Sequence, residues 1–183
     1  MSVIADFAGW VANTQFFTAL RESGLPYPIV MSTHLSSIAI FGGAILMTDL
    51  RILGFAMKSM TITEVVRQTR IWKRIGFVIM ISMGILLAGA KLDKYYDNPY
   101  FITKLSLLLL VGVHALIFRP RVYKKTEELD SAPTIPGVAK AAAWLSIVLW
   151  VGILSMGRWI AYYERPGEVP RAPSAVTLPS SPQ

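Results

Sequence analysis

With 183 residues, 54% of them hydrophobic and only 16% charged, the chain is too poor in charge for a soluble domain, where about a quarter is usual. Its formal net charge of +7 does not point to nucleic acid, because the cations gather in two short stretches between apolar runs. The absence of cysteine excludes disulfides, thiolate metal sites, iron–sulfur clusters and covalent haem attachment through Cys-x-x-Cys-His.

In chain order, the first unit is residues 1–24. Val3, Phe7, Trp10 and Phe17 recur on one helical face, which predicts an amphipathic helix lying in the membrane interface. Asp6 and the lack of a basic start argue against a cleavable signal peptide. Gly24, Pro26 and Pro28 then mark a turn, with proline tolerated in the first turn of the next helix.

Four long uncharged runs follow: Leu25–Thr48, Ile75–Ala90, Leu105–Phe118 and Ala141–Gly157. A membrane-crossing helix needs about 20 mostly apolar residues, and Lys91, Lys104 and Arg158 can snorkel from the ends of the shorter runs. The predicted spans are 28–50, 72–91, 99–118 and 138–163, within one domain at 25–163. The fold class is all-α, an integral membrane four-helix bundle. Between the first two spans, "FAMKSMTITEVVRQTRIWKR" has basic amphipathic character, and Thr63 is placed to start a short surface helix. The stretch "KKTEELDSAPTIPG" reads as an irregular loop. Five prolines in residues 164–183 predict a disordered tail.

Arg51, Lys58, Arg67, Arg70, Lys73 and Arg74 lie between spans one and two; Arg119, Arg121, Lys124, Lys125 and Lys140 lie between spans three and four. The positive-inside rule places both stretches in the cytoplasm of a bacterial inner membrane, with N- and C-termini periplasmic. Tyr27, Tyr95, Tyr96, Tyr100, Trp159, Tyr162 and Tyr163 form an aromatic belt at the periplasmic ends, and Trp72, Tyr123 and Trp144 mark the cytoplasmic side.

Within span one, "STHLSSIAIFGG" is unusually polar. Ser32, Ser36, Ala39 and Gly43 step by four, three and four, so they share a face suited to close helix packing; Gly84 and Ala88 repeat the step on span two. The hydroxyls can bond back to carbonyls one turn earlier. His34 and His114, the two histidines of the chain, both fall inside spans, where an ionisable group is a functional candidate by default. They could be neutral imidazoles bonded between helices, or candidate haem ligands. At 1.5 Å per residue their depths differ by about 13–18 Å, too much for one haem held between them in a single subunit. Depth counting instead offers Met156 as a candidate second ligand for His34 and Met80 for His114. Asp49 and Arg51 read as a charge pair at the interface. Nucleophile elbows, P-loops, zinc-protease pairs and dinucleotide fingerprints are missing from the sequence, which argues against an enzyme.

"HLSSIAIFGGAILMTDLRILG" (His34–Gly54) and "FITKLSLLLLVGVHALIF" (Phe101–Phe118) resemble an uncharacterised bacterial family of four-helix integral membrane proteins. The pattern of one histidine per helix is also loosely similar to small cytochrome-b-type and copper-resistance membrane domains, which usually carry more histidines. The first resemblance implies the same four-helix fold and brings no activity with it.

The leading functional expectation is a non-catalytic subunit or anchor of a larger membrane assembly. Its partners would be the lipid bilayer and other membrane subunits or copies of itself, with no nucleic acid. The competing expectation is an electron-transfer protein holding haem b through His34 and His114, in exchange with quinone. A metal or proton conduit is the third.

Overall fold

The computed structural model describes residues 3–164, with Arg121 described by its backbone alone. All but the first residue of the expected tail lies outside this range. The described residues are helical, without strands, and contain α1 (Val3–Ala12), α2 (Gln15–Glu22), α3 (Pro26–Leu53), α4 (Ile62–Ala90), α5 (Leu92–Tyr95), α6 (Pro99–Phe118), α7 (Thr126–Ser131) and α8 (Gly137–Trp159). The helices α3, α4, α6 and α8, the last extended by a 3-10 turn to Tyr162, are each long and apolar enough to cross a bilayer. Leu109, Leu116, Ile85, Val78 and many other large apolar side chains point outward, as lipid-facing helices require. The chain is a four-helix membrane protein.

Local chemistry sets the helix ends. Pro26 and Pro99 occupy first-turn positions, where the missing N–H costs nothing. Asn98 accepts from the N–H groups of Tyr100 and Phe101, and Thr61 accepts from Glu64 N–H. Gly54 closes α3 with φ 78°, a left-handed conformation that glycine adopts without a Cβ penalty.

The tightest pair is α3 with α4, and the next is α6 with α8; contacts between α3 and α8 join the two pairs. α4 and α6 form the ends of this arc and hardly touch, so a cleft remains between them. One core cluster, with Ile52, Ile62, Val122, Leu129, Ala139, Ala142 and Ala143, sits at the end where α3 meets the α4 start. A second, of Met80, Trp150 and Ile153 among Ile38, Phe41 and Leu107, lies in the middle.

Three sequence expectations are corrected here. The N-terminal unit is two helices, broken at Asn13 and Thr14, where Thr14 Oγ1 donates to Val11 O. Arg21 holds the two together by donating to Ala12 O and to Ala90 O of α4. Second, no separate surface helix precedes span two: α4 runs unbroken from Ile62, so Arg67, Arg70, Lys73 and Arg74 stand on its first turns. Third, the loop after span three is not wholly irregular. Pro120 cannot supply an N–H, the chain widens into a π turn over Arg119–Tyr123, and α7 follows with Leu129 in the core.

Candidate functional site

Asp49, about one turn before the end of α3, is fully buried. Tyr123 Oη donates to its Oδ1 over 2.9 Å, while Oδ2 has no hydrogen-bond partner. The wide π turn carries the extra residue that brings Val122 and Tyr123 onto the inner side. Burial, and then the carboxylate beside it, push the Tyr123 hydroxyl far above its ordinary value, so it stays protonated and able to donate. Lys73 and Ser146 are further polar neighbours of the carboxylate, and Lys73 Nζ donates to Thr48 Oγ1 over 3.2 Å.

These groups line the cleft between α4 and α6, whose volume is about 930 Å³. Its basic rim comes from Arg67, Arg70, Lys73 and Arg74 of α4, Arg119 of the π turn, and Lys124. Positions 67, 70 and 74 are spaced by three and four, so one face of α4 presents the guanidinium groups. Phe41, Phe77, Val111 and Trp150 form the apolar part of the wall. A separate, apolar cavity of about 410 Å³ lies between α3 and α8, with Asp49 as its one charged lining residue.

His34 and His114 serve different helix pairs. His34 Nδ1 donates to Met80 O of α4 over 3.0 Å, and its ring lies against Gly84. His114 Nε2 donates to Ala142 O of α8 over 3.0 Å, with its ring near Phe118. The carbonyl acceptors require an N–H at those ring positions and so assign the tautomers. Met80 therefore meets His34 through its carbonyl, while its side chain is buried with Trp150 and Ile153. Met156 is half-buried on α8.

Asp49 and Arg51 do not pair with each other. Two residues apart on a helix, they diverge: Arg51 Nε donates to Met60 O, and Asp49 takes Tyr123. Ser32, Ser36 and Ala39 lie exposed on α3, and a Cβ on Gly43 would meet nothing within 4 Å. The packed side of α3 is offset from them and uses His34, Ser37, Phe41, Ala44 and Thr48. Ser37 and Thr48 do bond back, to His34 O and Ala44 O. On α4, Gly76 admits Phe41 and Gly84 admits His34, while Ala88 is half-buried.

The sequence reading passed over Tyr123, Lys73 and Ser146 as parts of one site. The spacing of the α4 cations carried a signal for the rim; nothing local marked Tyr123, because its inward turn depends on the π segment. Among the described residues, no three His, Asp or Glu side chains converge as a metal site.

A protein-family model matches residues 7–163, from α1 through the last span. The chain belongs to this family, DUF6644, a family of unknown function. The matched region contains the cleft, both histidines and all four spans, in keeping with the resemblance to an uncharacterised four-helix membrane family. No curated protein and no solved structure matches the chain.

Proposed function

We propose that this DUF6644 chain is a non-catalytic integral membrane subunit that docks another transmembrane helix against α3. The observation that carries this reading is the outward position of Ser32, Ser36 and Ala39, with the neighbouring residues of α3 already engaged by α4. Small side chains let helix backbones approach closely, which is a main source of association in lipid. In this reading the basic end faces the cytoplasm of a bacterial inner membrane and the termini face the periplasm. The partner is a different subunit or a second copy.

Purification in mild detergent tests the proposal. The expected result is a stoichiometric partner or a homo-oligomer that dissociates in Ser36→Leu or Ala39→Leu while the chain stays folded. A folded wild-type monomer from native membranes, with nothing bound, overturns it. Single cysteines introduced at Lys58 and Lys94, in a chain that has none, test orientation by their labelling with a membrane-impermeant reagent.

One observation favours the second reading, b-type haem. Because His34 Nδ1 donates to Met80 O, Nε2 is the unprotonated nitrogen, as an iron ligand must be. A reduced-minus-oxidised band of b type in protein expressed with ample haem, lost in His34→Ala, supports this reading. Its absence from folded protein removes it.

A further inference from the structure

We propose that the cleft between α4 and α6 binds an anionic phosphate-headed lipid, with the phosphate among Arg70, Arg74 and Arg119 and the chain along Phe77 and Trp150. The inference stands apart from helix docking on α3, since it uses the opposite side of the α3–α4 pair.

Charge carries the first part of the argument. Six basic residues line this cavity, against only Asp49 and Glu127 as acids. Arg67 is engaged by Glu64. Arg70, Arg74, Arg119 and Lys124 are exposed at the rim and have no carboxylate partner among the described residues. Cations gathered around one concavity repel each other and focus a positive potential into it, which a bound anion relieves. Guanidinium groups match phosphate oxygens through paired N–H donors.

The shape and polarity of the wall select the kind of anion. Inside the rim the cleft has a polar side, with Thr48, Asp49, His114, Tyr123 and Ser146, and an apolar side formed by Phe41, Phe77, Val111, Ala115 and Trp150. Phe77 and Ala115 line it while remaining exposed, so the apolar part opens sideways from two helices that face lipid. A volume of about 930 Å³ accommodates a headgroup and the first part of a chain. A free phosphate would use the rim and leave the apolar wall unused. The cavity between α3 and α8 has no such cationic rim, so the polarity belongs to this cleft and is not general to the bundle.

Native mass spectrometry of the detergent-purified protein, with phosphatidylglycerol, phosphatidylcholine and inorganic phosphate as probes, tests the site. Phosphatidylglycerol is expected to bind at least about tenfold tighter than the other two. Replacing Arg70, Arg74 and Arg119 together by alanine should weaken it roughly a hundredfold. Lys58→Ala with Lys140→Ala, at the same end but outside the cleft, should leave binding unchanged. Ala115→Trp should abolish it with every cation in place, and this variant decides the matter if the triple variant does not fold. The proposal is overturned if phosphatidylcholine binds as well, if inorganic phosphate binds as tightly, if the Lys58 and Lys140 pair loses as much, or if Ala115→Trp has no effect.

Discussion

Tyr123 reaches across from the π turn after α6 to donate to Asp49 of α3 over 2.9 Å, and this bond ties the two helix pairs together beneath the basic cleft. A buried carboxylate oxygen without a donor is costly, and Asp49 already has one such oxygen in Oδ2. Tyr123→Phe leaves both oxygens in that state. The expected destabilisation is about 1–3 kcal/mol, read from thermal or denaturant unfolding in detergent. Asp49→Asn with Tyr123→Phe should cost less than the sum of the two single changes, and strict additivity would count against direct coupling.

At Gly76, α3 and α4 approach closely: an added Cβ would stand 3.0 Å from Phe41 Cβ and 3.1 Å from its backbone nitrogen. Gly76→Ala must push two helices apart, for about 1–3 kcal/mol of lost stability. Gly112→Ala on α6 meets nothing within 4 Å and should be neutral or slightly stabilising, since alanine is the better helix former. Equal effects at the two positions would refute the packing argument.

Asp130 Oδ1 and Oδ2 accept from the N–H groups of Ile62 and Thr63, over 2.7 and 2.9 Å, so a residue of α7 caps α4. Asp130→Ala should cost about 1 kcal/mol, as caps do. Partial burial raises its carboxyl, but the Thr63 hydroxyl, the two backbone N–H groups and Arg51 more than offset this and hold it below the ordinary value. A carboxyl lowered on folding contributes stability above its unfolded value, about 3.9, and loses it as pH falls through the lower folded value. The difference between wild type and Asp130→Ala should therefore be full at neutral pH and shrink below about pH 4, as measured by unfolding across that range.

Arg21 bonds to Ala12 O and Ala90 O and is a polar link between α1, α2 and the end of α4; Phe17 packs on Gly89 beside it. Arg21→Met should loosen α1 and α2 while the four spans hold. Hydrogen exchange is expected to speed up over residues 3–22 with little change in the spans. Uniformly faster exchange throughout the chain would show that these helices are part of the global fold.

The sequence by itself determined the membrane setting and the four spans, because long uncharged, mostly apolar runs, extended by cations that snorkel at their ends, are stable in a bilayer and must there satisfy their backbone as helix. It also determined that the basic stretches share one end, since alternating spans return the chain to the same side. The turn into the first span was legible for a similar local reason, with Pro26 in the first turn of α3. What only the tertiary structure decided was which face of each helix packs. Period alone marks Ser32, Ser36 and Ala39 as a small-residue face, yet α3 turned them outward and packed the side that carries His34 and Phe41. The choice rests on the glycines of α4, seventy-six and eighty-four among them, whose complementarity to bulky groups on α3 is not a property of either segment alone. The partners of Asp49 were hidden for a related reason. Tyr123 is 74 residues away and turns inward only because Pro120 widens the helix, while the cleft exists only because α4 and α6 are held apart at the ends of the arc.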